Sequence, residues 1–365
     1  MSRTTPTARP LRARRRPLGT TGPVLPPISR RSALFGLGGI TVLGMVGCAP
    51  EDGGGSGEGG STRSIEHKYG TTEISGVPSR VVTVGLTEQD YLLALGVAPV
   101  GVREWFGGHD GALWPWAADA LGDAELPEVL PVESLNFEQI GSLAPDLIVG
   151  INSGLTEDEY STLSGIAPTI AQPADKADYG ATWQEIARTI GVALDRVDDA
   201  EALVQDIEQQ FEDVRAEHPE FAESTALLAT SIGGEAWAYA EGPAPGFLTQ
   251  LGFKLPEEAA ALFTDENREP KQVSLEQLEV LEADVLLVGV YGDEENSVTN
   301  QAVFQRLDVA REGRYLTMPE MSRINGALSF GSVLSLPYAL QELTPRLAAL
   351  ADGDDATEAE PIPAE

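Results

Sequence analysis

Few residues in this 365-residue chain could carry chemistry, and their spacing argues for binding rather than catalysis. The three histidines, His67, His109 and His218, lie far apart, with no companion at the spacing a zinc site needs. In Gly150-Ile151-Asn152-Ser153-Gly154 the serine falls one place off the strand-to-helix elbow that exposes a hydrolase nucleophile. Gly55-Ser56-Gly57-Glu58-Gly59 is likewise only linker, and Gly36-Leu37-Gly38-Gly39 lies in a leader, so it is no dinucleotide loop of the mature chain. No catalytic constellation results, and no enzyme activity or metal site is expected. What the chain does offer is cationic and aromatic residues where apolar runs end: Arg103 and Trp105 after Val100-Gly101-Val102, Trp237 and Tyr239 after Thr230 to Gly234, Tyr291 after Val288-Gly289-Val290, and Arg323 after the last run. Open α/β sheets bind ligands outside the carboxyl ends of their strands, and two facing sheets turn those ends into a cleft. Arginine there favours a ligand with negative charge, because its fork of donors matches carboxylate or catecholate oxygens.

The amino-terminal segment is an address. Ser29-Arg30-Arg31-Ser32-Ala33-Leu34-Phe35 leads through a short glycine-rich apolar run to Met45-Val46-Gly47-Cys48. This is the pattern of a twin-arginine leader closed by a lipobox, with methionine where leucine is usual. The run from Ser32 to Gly47 is too brief to cross the roughly 30 Å of a bilayer's hydrocarbon. Residues 1–47 are therefore expected to be removed, leaving Cys48 as a lipid-carrying terminus on the outer face of the cell membrane. The leader contains eight of the 24 basic residues and no acid, which leaves 16 basic against 57 acidic residues and a net charge near −41. Such a surface repels nucleic acid and has no basic patch for phosphates. With no second cysteine, core packing alone must hold the fold.

The elements that must position the candidate residues alternate. Apolar β-branched runs at Arg80 to Val84, Ala98 to Val102, Asp146 to Val149, Ala226 to Ala229, Asp284 to Val288 and Arg314 to Leu316 read as strands, with Asp90 to Leu95 and similar stretches as helices between them. This predicts parallel sheets with crossover helices. An internal repeat at an offset of 138 relates Phe137-Glu138-Gln139-Ile140 to Leu275-Glu276-Gln277-Leu278, and Asp146-Leu147-Ile148-Val149 to Asp284-Val285-Leu286-Leu287. Between the copies, apolar positions 200, 203, 204, 207, 211 and 214 keep the spacing of an amphipathic helix. About 20 residues make a rod of roughly 30 Å, long enough to join two lobes stiffly. The expected fold class is α/β, two Rossmann-like lobes joined by one long helix. Expected boundaries are a flexible tether over 48–63, an amino-terminal lobe over 64–195, the connecting helix over 196–218, a carboxyl-terminal lobe over 219–352 and a disordered acidic tail over 353–365.

Three stretches carry a family resemblance: His67-Lys68-Tyr69-Gly70-Thr71-Thr72-Glu73-Ile74, Pro78-Ser79-Arg80-Val81-Val82-Thr83, and Leu92-Leu93-Ala94-Leu95-Gly96-Val97-Ala98-Pro99-Val100-Gly101-Val102. With Asn136-Phe137-Glu138, Ser274 to Leu278 and Arg306-Leu307, they resemble the periplasmic-binding-type receptors for ferric siderophores over nearly all of the mature chain. The resemblance implies a shallow cleft between lobes that captures a ferric siderophore and hands it to the membrane subunits of an ABC permease. The siderophore's own oxygens would hold the iron, so no resident cofactor is implied, and the chain would act as a monomer. It further implies that Glu138 and Glu276, one per lobe, dock on arginines of the two permease subunits. Their matched places in the repeat suit a two-fold partner. The same scaffold could instead take haem or a corrinoid, for which Tyr239 or Tyr291 offers an axial oxygen. A metal-handling enzyme or a non-transport surface lipoprotein are the more distant readings.

Overall fold

The alternating runs form two sheets in a computed structural model that describes residues 62–264, 269–292, 294–353 and 359–364. The leader, Cys48 and the tether up to residue 61 lie outside the described residues. The first described element is a hairpin that the strand pattern did not mark, β1 (Thr62–His67) and β2 (Gly70–Ser75), which turns Ile65 and Ile74 into the core. The first sheet then takes β3 (Val81–Thr83), β4 (Gly101–Arg103), β5 (Glu128–Leu130), β6 (Leu147–Val149) and β7 (Thr169–Ile170) in the order β5-β4-β3-β6-β7, all parallel. Its helices are α1 (Glu88–Ala94), α2 (Pro115–Leu121), α3 (Phe137–Ser142), α4 (Glu157–Ser164) and α5 (Trp183–Ala193). Strand β3 is buried along its whole length, as expected of a parallel strand covered on both faces.

The second sheet departs from the parallel expectation. It contains β8 (Ala226–Ile232), β9 (Glu235–Tyr239), β10 (Lys271–Val273), β11 (Val285–Tyr291) and β12 (Tyr315–Pro319) in the order β10-β9-β8-β11-β12. Strands β8, β11 and β12 are parallel, whereas β9 runs antiparallel to both of its neighbours. The cause is local: β8 and β9 are joined by Gly233 and Gly234 alone, both at positive φ (58° and 86°). A two-residue glycine turn closes a hairpin, and a parallel crossover needs a dozen residues or more. Five described helices belong to this lobe: α7 (Pro243–Gln250), α8 (Glu257–Ala260), α9 (Asp308–Arg311), α10 (Arg323–Phe330) and α11 (Ser335–Ala351).

Between the lobes runs α6 (Val197–Glu217), which buries Ala200, Val204, Ile207 and Phe211. It packs so closely on α5 that a β-carbon added at Gly191 would fall 2.4 Å from that of Ala200. Phe211 meets Phe247 of α7 edge-on at 5.5 Å, and one apolar cluster runs unbroken from Leu147 and Ile186 of the first lobe to Leu287 and Leu343 of the second. Each sheet also has a separate apolar cluster on its other face. The described part of the acidic tail, residues 359–364, differs from the expectation of disorder. Ile362 is buried in the core with Ala359 partly buried beside it, and Arg346 of α11 donates to the Glu360 carbonyl at 3.0 Å.

The repeat has a physical basis in two aspartates. Asp146, ahead of β6, accepts hydrogen bonds at Oδ2 from the N–H (2.8 Å) and hydroxyl (2.9 Å) of Ser79 and at Oδ1 from the N–H of Arg80 (2.9 Å). Asp284, ahead of β11, accepts from the N–H and hydroxyl of Thr225, both at 2.7 Å. Each carboxylate thus ties the entrance of one central strand to that of its neighbour. Bonds to an ionised acceptor contribute about 1.5–3 kcal/mol each in favourable cases. Asp284→Ala and Asp146→Ala are each expected to lower unfolding free energy by about 1–3 kcal/mol, read as an earlier urea midpoint.

Candidate functional site

The carboxyl end of β4 opens into the loop that defines the site. Arg103, its last residue, donates from Nη1 to the Val84 carbonyl (3.3 Å) and from Nη2 to the Val132 carbonyl (2.7 Å), and so ties together the segments that follow β3, β4 and β5. Trp105 and Phe106 come next, ring edge to ring face at 4.8 Å. Gly107, at φ 111°, turns the chain where a side chain would strike His109 and Trp114. Trp114 donates its indole N–H to the Phe106 carbonyl at 3.2 Å and stacks on Trp116 at 5.2 Å with planes 7° apart.

This aromatic loop belongs to the first lobe but packs on the second. Phe330, at the end of α10, lies 5.4 Å from Trp105, 6.0 Å from Phe106, 6.1 Å from Trp114 and 5.8 Å from Trp116. Trp114 sits directly over α10, where a β-carbon on Gly326 would come within 2.5 Å of its ring. Tyr338 of α11 closes the cluster at 6.0 Å from Trp116. Such ring pairs contribute about 0.5–1.5 kcal/mol each beyond the area they bury.

Beneath the rings a buried carboxyl bridges the lobes. Asp90 of α1 accepts at Oδ2 from the Trp116 indole N–H (2.9 Å) and from the hydroxyl of Ser332 in the second lobe. Its Oδ1 is buried without a hydrogen-bond partner among the described residues. Burial pushes this carboxyl up to about 7, with the bonds from Ser332 and Trp116 opposing the shift. Glu88 on the same helix is also raised by burial, against the pull of the N–H groups of Asn152 (2.7 Å) and Thr87 (3.1 Å).

On the second lobe, Tyr239 and Tyr291 come together. Tyr239 bonds Thr230 through their hydroxyls at 3.1 Å, and Tyr291 bonds Asn325 of α10, with Asn325 Nδ2 donating to the phenol at 3.3 Å. Burial raises the Tyr239 phenol, and the neighbouring Tyr291 adds to the shift. Trp237 is not at a strand end: in the antiparallel β9 it lies mid-strand, opposite Thr230 and Gln272, partly exposed. Tyr239 ends β9 but, for the same reason, pairs with Leu228 low in β8 and reaches the site only through the length of its side chain. Arg323 opens α10, is exposed, and has no hydrogen-bond or ion-pair partner among the described residues. It acts electrostatically on His109, whose pKa is lowered first by burial and then by this guanidinium. The structure therefore gathers Arg103, Trp105 and Arg323 at the seam and Tyr239 with Tyr291 beside Asn325. Sequence reasoning missed Phe106, Trp114, Trp116 and Phe330. The first three, with Trp105, place four large rings within twelve residues of a chain that is 6% aromatic, a density that could have marked them.

Glu138 and Glu276 lie elsewhere, each exposed in the first turn of the helix that follows an edge strand, β5 or β10. Two open concavities, of about 460 and 230 Å³, lie at the opposite end of the second sheet from Tyr291, where Thr225, Asp284 and Arg314 precede their strands. Their rims carry acids rather than rings. His67 bonds Thr72 at 2.9 Å and His218 bonds Glu220 at 2.9 Å, each within its own local structure.

Two α/β lobes on a single helix, meeting in an aromatic seam at the carboxyl ends of their strands, define a two-lobe solute-binding protein. The chain matches the periplasmic binding protein family over residues 81–320 and belongs to it. It is 27% identical over 251 residues to the Fe(3+)-citrate-binding protein YfmC of Bacillus subtilis, which covers 68% of this chain and 75% of that protein. A periplasmic solute binding protein from Mycobacterium smegmatis superposes with a TM-score of 0.70 at 33% identity, covering 80% of this chain and 99% of the other. Staphylococcus aureus SirA, solved with staphyloferrin B, superposes at 0.64 with 25% identity over 77% of this chain and 97% of SirA.

The Asp90 shift sets a pH dependence. Between pH 4 and 7 the unfolded chain has released this proton while the folded chain retains it, so the folded state binds more protons and stability falls as pH rises through that window. The shift from 3.8 to about 7 corresponds to roughly 4 kcal/mol above pH 7. Asp90→Asn keeps an oxygen for Trp116 and Ser332 and cannot ionise. Its melting temperature relative to wild type is expected to rise between pH 4 and pH 8, as read by calorimetry at matched ionic strength.

Proposed function

We propose that this chain is the extracytoplasmic substrate-binding subunit of an ABC importer, and that it captures a ferric siderophore whose own oxygens hold the iron. The observation that carries this reading is the pair of partly exposed rings Trp105 and Phe106, packed across the seam on the buried Phe330, with Tyr239 and Tyr291 held by Thr230 and Asn325 on the second lobe. It offers flat apolar faces and a few hydrogen-bonding groups, the composition of a site that holds a preassembled complex. Support comes from the relatives, whose names specify ferric citrate, ferric anguibactin and petrobactin as ligands. Haem is less well served. The Tyr239 and Tyr291 hydroxyls are engaged by Thr230 and Asn325, and burial disfavours the Tyr239 phenolate that an axial ligand would need.

In this reading Glu138 and Glu276 dock the loaded protein on the two permease subunits, and Cys48 tethers it to the membrane after export by the twin-arginine route. Both glutamates are exposed and have no hydrogen-bond or ion-pair partner among the described residues, and they hold matching places in the two sheets. One acid per lobe fits a two-fold partner bearing arginines. Replacing both with alanine is expected to abolish growth on a ferric siderophore as sole iron source. Ligand affinity, followed by tryptophan quenching of the purified mature chain, is expected to stay within about two-fold, since neither side chain bonds to the rings or arginines of the seam among the described residues. Normal growth of the double variant would overturn the docking assignment.

A further inference from the structure

We propose that the cleft selects iron(III) chelates of zero or positive net charge, the trihydroxamate class, over anionic catecholate and carboxylate complexes. This inference rests on the siderophore reading above and concerns the ligand class at that same seam.

The first ground is the number of free cations. Two strand-end arginines favoured an anionic ligand on sequence alone, yet only one points its charge outward. Arg103 has both terminal nitrogens on the backbone carbonyls of Val84 and Val132, and its Nε is buried. His109 supplies no third charge near neutral pH, because burial and Arg323 both lower its pKa. Arg323 is left as the single unpaired cation at the seam among the described residues.

The second ground is the acids around it. Glu104 and Asp110 act on His109 from the loop that also carries Trp105. Glu104 accepts from the Gly108 N–H at 2.8 Å, and Glu320, three residues before Arg323, accepts from the Gly292 N–H at 3.1 Å. Both carboxylates are thereby held at the rim. On these loops Glu104, Asp110 and Glu320 outnumber Arg103 and Arg323 among the described residues, within a mature chain already close to −41.

Chelate stoichiometry completes the argument. Three hydroxamates, each giving up one proton, neutralise iron(III), whereas three catecholates, each giving up two, leave a complex of −3. A trianion settling on this rim would lose hydration and gain one free guanidinium in return, against like charge from the acids. A neutral complex loses little hydration and gains the ring faces, and a cationic arm on it adds attraction to those faces.

The test holds the iron centre constant and varies the charge. Purified mature chain is titrated by tryptophan quenching with ferrioxamine B (+1), its N-acetyl derivative (neutral) and its N-succinyl derivative (−1), alongside ferric enterobactin (−3) and ferric citrate. At low salt the succinyl derivative is expected to bind about ten-fold more weakly than the acetyl one. The gap should close in about 0.5 M NaCl, where screening falls to a few ångströms. Glu104→Gln with Asp110→Asn should recover most of that ten-fold loss, since glutamine keeps the Gly108 bond and removes the charge. Ferric enterobactin and ferric citrate should be at least about a hundred-fold weaker than the acetyl derivative. If either of these anionic complexes binds more tightly than the trihydroxamates, the charge inference is overturned while the siderophore reading stands. If no ferric chelate quenches, it is the siderophore reading itself that fails.

Discussion

The contact on which the remaining structure depends is Trp114 lying across the backbone of α10 at Gly326. A tryptophan that is almost fully buried removes on the order of 200 Å² from water, several kcal/mol at about 25 cal/mol per Å². Because the ring comes from the first lobe and the helix from the second, that stabilisation is available at one relative placement of the lobes. The connecting helix alone would leave a rod free to pivot at its ends. With the apolar cluster beneath it and the ring cluster at the seam, α6 instead joins lobes held at two points.

This placement puts the proposed binding surface and the source of rigidity on the same residues. The rings that seal the seam, Trp105, Phe106 and Phe330, have centroids 4.8–6.0 Å apart, so the two lobes already meet at this point. The polar groups nearby are nearly all partnered: Tyr291 with Asn325, Tyr239 with Thr230, Arg103 with two carbonyls. In the proposed reading such a surface would recognise shape and apolar area, with Arg323 and the nearby acids left to act on the ligand's charge. Asp90 is the exception to the satisfied pattern. Its carboxyl bridges the lobes at one oxygen and is unpartnered among the described residues at the other, so it titrates near neutrality instead of remaining ionised.

How much of this was legible beforehand follows from the range of each interaction. The central strands and the connecting helix depend on local periodicity, and the helix spans Val197–Glu217 with the expected apolar positions turned inward. The offset of 138 was visible because Asp146 and Asp284 perform the same local task at matching strands. Strand direction was misread at one place, where Gly233-Gly234 reverses the chain, and this moved Trp237 away from the strand ends. The placement of residues 359–364 was missed because Ile362 is a lone branched apolar residue in an acidic stretch, too little for a composition argument to notice.

The sequence by itself determined the α/β class, the two copies, the stiff connector and the acidic, cysteine-poor character, since each is written in neighbouring residues or in composition. Only the tertiary structure decided which residues meet at the candidate site. Phe330 lies more than 200 positions from Trp105, and Ser332 is 242 from Asp90, so their meeting depends on how the lobes pack and leaves no periodic trace. The same holds for charge: whether an arginine faces a ligand or a carbonyl is settled by where the backbone of another strand passes, as Val84 and Val132 settle it for Arg103.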